Sequence, residues 1–271
     1  MSDASLIERT LRRHGRIVGV SLFVLAALSW FHLLRGAGTG MSPIAMSMWQ
    51  FPPPAPPMVG PADWSATYAF LMLSMWWVMM IAMMVPSAAP MILLYARVVG
   101  RAADHGQSLA AFGRTSIFLA GYLTIWFGFS IMATLTQSVL EVSGILDGMR
   151  MWSTSRTLSA ALVVGAGIYQ LTPVKSACLE HCRAPVGYLA AHFRPGNLGA
   201  WRMGLEHGAY CVGCCWALML LLFVGGTMNL IWIAGLAILV LVEKQLARGK
   251  WLERIIGSIL IVVGVGLFVS E

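Results

Sequence analysis

Long apolar runs separated by short basic segments are the feature that most limits what this chain can fold into. Seven runs approach the length that crosses a bilayer as a helix, which is roughly 20 residues. They cover residues 17–34, 68–85, 115–137, 158–172, 205–224, 230–242 and 255–269. Only 11% of the residues are charged, whereas a soluble domain carries about a quarter. The sequence therefore predicts an all-α polytopic membrane protein of seven spans, without a separate soluble domain.

Three regions follow from this pattern. Residues 1–34 form a basic N-terminus and the first helix, and residues 66–271 form a core of six helices. Residues 35–65 between them are predicted to be a periplasmic linker, because FPPPAPP at 51–57 cannot form a regular helix. This linker also holds four methionines, Met41, Met46, Met48 and Met58. The second run is expected to end or kink at Pro86 and Pro90 and to continue as far as Tyr95.

The basic residues lie between the apolar runs and give the topology an orientation. With a cytoplasmic N-terminus, fifteen of the 18 Lys and Arg residues fall in cytoplasmic segments, as the positive-inside rule requires in a bacterial inner membrane. The exceptions are Arg35, Arg150 and Arg156. Seven spans then place the C-terminus in the periplasm. The net charge of +7 is explained by these segments, so it does not indicate nucleic-acid binding.

The five cysteines are gathered in the second half of the chain. Two of them, Cys178 and Cys182, follow the fourth run on the predicted cytoplasmic side. Their i, i+4 spacing puts both thiols on one face of a helix. The cytoplasm is reducing, so a structural disulfide between them is not expected. We interpret the pair as ligands that capture or release a metal ion at the cytoplasmic surface.

The other three cysteines, Cys211, Cys214 and Cys215, lie in the fifth run, one turn after Glu206 and His207. His207 and the thiols form a polar stripe on one helical face, in a segment where ionisable groups are costly to place. A single buried cysteine is usually a packing residue, but five potential ligands within ten residues indicate a metal or redox site. In the metal interpretation His207 and the thiols are ligands, and Glu206 accepts the protons that binding releases.

Methionine forms the second unusual pattern, with 18 residues in the chain. In the second run Met79 and Met83 share one helical face, and Met80 and Met84 lie on the neighbouring face. Thioethers are soft, uncharged ligands that suit Cu(I), although methionine also fills apolar interiors. Counting about 1.5 Å per residue from the inner ends of their runs puts Met79, Met80 and Cys211 at similar depth. These methionines are therefore interpreted either as metal ligands or as packing residues, and both interpretations stay open.

The sixth run ends on two charged residues, Glu243 and Lys244. A lysine at the end of a span often extends its ammonium group to the lipid headgroups. We therefore interpret the two residues as an anchor of this helix. A role in gating is the alternative interpretation.

Three segments together resemble the signature of a bacterial family of predicted metal-binding integral membrane proteins, catalogued as a domain of unknown function. The segments are WWVMMIAMMVPSAAPM at 76–91, GIYQLTPVKSACLEHCRAP at 167–185 and GLEHGAYCVGCCW at 204–216. The resemblance covers about residues 66–244. It implies metal binding in a membrane, and it names no metal, reaction or partner.

These observations predict a membrane protein that transports or relays a soft transition metal. Cu(I) is the expected ion because it binds both thiolates and thioethers, whereas Zn(II) suits the thiolates and not the methionines. The expected partners are lipid, the metal ion and a soluble protein that carries or receives it. No phosphate-binding loop is found, so ATP-driven pumping by this chain alone is not expected.

Two other functions stay open at this stage. The CxxC spacing of Cys211 and Cys214 also fits an enzyme, a thiol–disulfide oxidoreductase that passes electrons to a quinone. Such pairs usually work on the oxidising side of the membrane, which disfavours this interpretation. The third function is an assembly scaffold in which the cysteines are structural.

Overall fold

Helices account for almost all of the regular structure, as the apolar runs predict. A computed structural model describes residues 3–38, 47, 64–102, 108–148, 151–245 and 250–269. Within these residues there is no β-strand, apart from an isolated bridge between Leu146 and Ser153. The four linker methionines and the Pro-rich segment lie outside the described residues, so the division of the chain into three regions stays a prediction.

The helices follow one another along the chain with short connections. They are α1 (Asp3–Leu34), α2 (Ala66–Ala102), α3 (Ser108–Val142), α4 (Arg156–Gln170), α5 (Pro173–Arg183), α6 (Pro185–His192), α7 (Gly196–Leu220), α8 (Leu222–Gly225), α9 (Leu230–Gln245) and α10 (Trp251–Val269). The most extensive packing joins α3 to α7, α4 to α10, and α1 to α2. The helix α2 also contacts α3, so that α2, α3 and α7 form the centre of the protein.

Within the described part of the chain, five helical segments are long and apolar enough to cross a membrane. They are Gly15–Leu34, Ala66–Arg101, Ala110–Val142, Gly196–Gly225 and Trp251–Val269. The helices α4 and α5 meet the same criteria as a pair bent by 65°, which gives a sixth candidate span. The helix α9 has 16 residues and is about 24 Å long, which is shorter than the hydrocarbon core of about 30 Å. Seven spans and their orientation therefore stay predictions.

The helix α2 continues through Pro86 and Pro90 to Ala102, beyond the end at Tyr95 that the sequence predicts. A proline has no N–H to donate, so Pro86 leaves the carbonyl of Ala82, four residues earlier, without its helical partner. The indole N–H of Trp30 in α1 donates to this carbonyl at 3.1 Å. A backbone group facing an apolar environment needs such a replacement, and Trp30 supplies it.

Glycines bring α7 into direct contact with the backbone of α3. Gly204 and Gly208 are one turn apart in α7, in the small-xxx-small arrangement that lets membrane helices approach closely. A Cβ at Gly204 would overlap the carbonyl oxygen of Phe118, and one at Gly208 would lie 2.9 Å from Cβ of Ile125. This close approach places Tyr122 of α3 against Cys211, one turn after Gly208.

A sharp bend between α4 and α5 turns the chain toward α7. Thr172 caps α5 by accepting a hydrogen bond from the backbone N–H of Lys175. Pro173 occupies the first turn of α5, where its missing N–H costs no helical hydrogen bond. Because of the bend, α5 packs on α7, and it carries Cys178 and Cys182 to that helix.

Candidate metal centre

Four thiols from two helices meet in the interior. The thiol of Cys182 in α5 lies near those of Cys211 and Cys214 in α7, and the Cys211 thiol also lies near that of Cys215. The three cysteines of α7 are at most 1% exposed. All four are free thiols. We call these residues the thiol cluster; it unites the two cysteine groups that the sequence left separate.

Cys178 lies at the side of this cluster. It is half-buried and one helical turn before Cys182. A Cβ at Gly213 would lie 2.8 Å from the Cys178 sulfur, so α5 approaches α7 this closely because Gly213 has no side chain. The structure thus brings all five predicted cysteine ligands to one contact between α5 and α7.

Lys244 lies inside the protein and contacts the thiol cluster. Its ammonium nitrogen Nζ donates to Sγ of Cys211 at 2.9 Å and to Oγ of Ser87 at 3.1 Å. The residue is only 6% exposed. The prediction that Lys244 extends to the headgroups is therefore wrong: the thiol and the hydroxyl group offer the ammonium group partners in the interior. Sequence reasoning missed this residue as part of the site.

The charged residues around the cluster carry one more positive charge than negative. Nζ of Lys175 lies 2.7 Å from a carboxylate oxygen of Glu243, and both side chains are at most 2% exposed. Arg183 pairs with Glu253 at 2.8 Å. Lys244 takes part in neither of these two ion pairs and contacts Cys211 instead. Three of the basic residues that the sequence assigns to the positive-inside signal thus have structural roles near the thiols.

Tyr122 connects the thiol cluster to the methionines of α2. Its hydroxyl oxygen lies 3.1 Å from Sγ of Cys211, and it donates to the backbone carbonyl of Met84 at 3.2 Å. The Met84 sulfur lies 3.9 Å from Sγ of Cys215. The helices α2, α3 and α7 therefore all contribute atoms to the centre. No pattern in the sequence singled out Tyr122.

The four predicted methionine ligands are all buried, but their positions differ. Met79, Met80, Met83 and Met84 are at most 1% exposed, so the stripe faces the interior as its spacing indicates. Among the described contacts of these four residues, only Met84 has its sulfur next to a thiol. Met79, Met80 and Met83 belong to the hydrophobic core. The structure thus brings one of the four thioethers to the thiol cluster.

His207 is buried beside the cluster and does not reach it by a described hydrogen bond. The imidazole is 3% exposed and stacks on Phe118 and Tyr122, with ring centroids 6.2 and 5.7 Å apart. It also lines a cavity of about 90 Å³. The other residues lining this cavity are Ser87, Pro90, Met91, Cys182, Arg183, Pro185, Lys244 and Gln245.

Glu206 points its carboxylate to a different set of partners. One oxygen accepts from the hydroxyl of Tyr188 at 3.0 Å, and the other lies 2.6 Å from a guanidinium nitrogen of Arg194. Burial, followed by the hydrogen bond to Glu206, raises the pKa of Tyr188 above its usual range, so this phenol stays protonated and donates. The role of Glu206 as a proton acceptor stays a prediction, and its carboxylate already has a cationic partner.

The thiols are close together without yet forming a ligand set of three. Among the described residues, no three His, Cys, Asp or Glu side chains are arranged to hold a metal ion. The thiols of Cys214 and Cys215 instead donate to the backbone carbonyl of Cys211 at 3.1 and 2.9 Å. Rotation about χ1 would release them from this carbonyl.

Fold and site define a class of protein: a helical, membrane-associated protein with a buried cluster of thiols. The family model described as PpoB2, copper chaperone, matches residues 73–267. This match covers well over half of the chain, and the chain belongs to that family. The resemblance to metal-binding membrane proteins is confirmed, and the membership supports a metal-handling role with copper. Searches of curated proteins and of solved structures found no match.

Proposed function

We propose that this protein is a membrane copper chaperone that holds Cu(I) at the thiol cluster and passes it to or from a soluble carrier. The observation that carries the proposal is the meeting of Cys182 with Cys211 and Cys214 beside the ammonium group of Lys244. Thiolates are soft ligands, and Cu(I) is the ion they select most strongly together with thioethers.

The buried charges favour Cu(I) over Zn(II) in a site of two thiolates. Cu(I) with two thiolates carries one negative charge, whereas Zn(II) with the same ligands is neutral. Lys244 supplies one positive charge at 2.9 Å from Cys211, so a Cu(I) centre is compensated. In a weakly polarisable interior such compensation matters far more than in water. Zn(II) is the second ion that the thiols suit. It would need a third thiolate to reach the single negative charge that Lys244 compensates.

The other predicted site residues take supporting roles in this proposal. Met84 is a further soft ligand next to Cys215, and Cys178 exchanges copper with Cys182 from one turn away. His207 is a candidate ligand reached through the cavity. Met79, Met80 and Met83 extend the row of thioethers along α2 toward the opposite side of the membrane.

The membrane topology is part of the same proposal. We propose seven spans in a bacterial inner membrane, with the N-terminus and the α5–α6 connection in the cytoplasm and the C-terminus in the periplasm. Reporter fusions at Ala184 and Ala55 should therefore report opposite sides, because the first position follows α5 and the second lies in the Pro-rich linker. The same side for both would show that the span count is wrong.

Replacing thiols of the cluster with hydroxyl groups tests the site directly. The Cys211→Ser/Cys214→Ser double variant should lose tight Cu(I) binding, because serine is a hard ligand with little affinity for Cu(I). Cys182→Ser should weaken Cu(I) binding as well, since the Cys182 thiol lies near those of Cys211 and Cys214. Cys178→Ser should keep the copper content and load more slowly. The measurement is the copper content of the reduced, purified protein under competition from a Cu(I) chelator.

The same preparations separate the other functions. Full copper content in the double variant contradicts the site. A stoichiometric disulfide with quinone reactivity and no metal supports the oxidoreductase. Intact thiols with neither copper nor a disulfide support the scaffold.

The methionines are tested by leucine, which has nearly the same volume and no lone pair. Met84→Leu should lower the affinity for Cu(I) by about ten- to a hundredfold, as loss of a supporting group does in other metal sites, and folding should be preserved because such swaps cost less than about 1.5 kcal/mol. The matched control is the triple variant of Met79, Met80 and Met83 to leucine. If the triple variant binds and transfers copper normally, Met79, Met80 and Met83 are packing residues. If Met84→Leu binds copper normally, Met84 is a packing residue as well.

A further inference from the structure

The cavity that reaches Cys182 has cationic walls. Arg183 and Lys244 line it, and none of the described lining residues is Asp or Glu. Pro90 and Gln245 are exposed at the surface of the protein. Cys182 is the one member of the thiol cluster that lines the cavity. A ligand that enters from the surface therefore meets Cys182 before the other three thiols of the cluster.

Arg183 has a buried donor without an acceptor. Its Nε donates to the backbone carbonyl of Glu243 at 2.9 Å, and Nη1 pairs with Glu253 at 2.8 Å. Nη2 is buried and has no hydrogen-bond partner among the described residues. Buried donors of folded proteins are nearly always paired, so an unpaired guanidinium N–H next to a cavity indicates a missing acceptor.

The net positive charge of these walls disfavours one form of copper and favours another. A free or weakly solvated copper cation would be repelled by Arg183 and Lys244 on its way to the thiols. A Cu(I) ion that already carries two thiolates is an anion, and a guanidinium group attracts it and donates hydrogen bonds to it.

We infer that copper passes through this cavity as an anionic Cu(I)–bis-thiolate complex, with Arg183 holding the anion and Cys182 as the first ligand of the thiol cluster. This inference rests on the proposed function and specifies the chemical form of its substrate. The carrier is either a small thiolate or the CxxC segment of a protein. Both present the same Cu(I)–thiolate chemistry at the mouth of the cavity.

Transfer is then a ligand exchange without oxidation or reduction. Sγ of Cys182 forms a bond to Cu(I), one carrier thiolate leaves, and the proton of the Cys182 thiol goes to that leaving thiolate. A second exchange with Cys211 releases the other carrier thiolate in the same way. Two copper–sulfur bonds form and two break. The single negative charge moves from the carrier complex to the Cys182–Cys211 pair, where Lys244 compensates it.

The test compares copper sources of opposite charge on the full-length, reduced protein in detergent. The sources are Cu(I) with excess glutathione, a Cu(I)-loaded CxxC peptide, and Cu(I) in acetonitrile, which is cationic. The variants are Arg183→Gln, which removes the charge, and Arg183→Lys, which keeps it. Arg202→Gln is the matched control, because Arg202 is exposed on α7. Copper bound to the immobilised protein is measured at timed intervals, at low and high salt.

Arg183→Gln should slow loading from the thiolate sources about tenfold at low salt, because electrostatic attraction of a ligand raises association rates by that order or more. Arg183→Lys should restore most of the rate, and loading from acetonitrile should not slow. The thiolate source that shows the effect identifies the carrier class. Equal rates of Arg183→Gln and wild type from both thiolate sources, or equal slowing from all three, overturn the inference. Wild type that binds no Cu(I) from any source overturns the proposed function instead.

Discussion

The buried ammonium group of Lys244 is the constraint that the centre of this protein has to satisfy. A buried charge among apolar helices needs partners close by, and Lys244 finds them in Cys211 and Ser87. The neighbouring Glu243 is paired with Lys175, so two adjacent polar contacts join the end of α9 to the first turn of α5 and to the interior of α7. The contact between Lys244 and Cys211 also places a cation beside a thiol.

Backbone geometry makes this polar centre possible. Gly204 and Gly208 let α7 lie against α3, and the bend at Thr172 and Pro173 turns α5 onto α7. In α2, Pro86 frees a carbonyl that Trp30 then occupies, so the helix continues past the thiols. Small residues and prolines therefore decide where the sulfur atoms meet, although they contribute no sulfur themselves.

The sequence predicted the helical class, the buried methionine face and the two cysteine groups from composition and spacing alone. It did not predict that Cys182 joins Cys211, because the contact depends on a 65° bend whose direction no periodicity encodes. It also assigned Lys244 to the headgroups. A lysine at a helix end that snorkels and one that turns inward have the same local sequence, and only the neighbouring helices distinguish them. Tyr122 was missed for the same reason, since one tyrosine in an apolar run carries no pattern.

X-ray absorption at the copper edge of the loaded wild-type protein tests the central claim most directly. The thiol cluster predicts one copper per chain, in the Cu(I) state, bound mainly by sulfur atoms. Loss of that sulfur shell in the Cys211→Ser/Cys214→Ser variant would assign it to α7. A shell of nitrogen and oxygen atoms, or a sulfur shell that survives the removal of these thiols, would contradict the account.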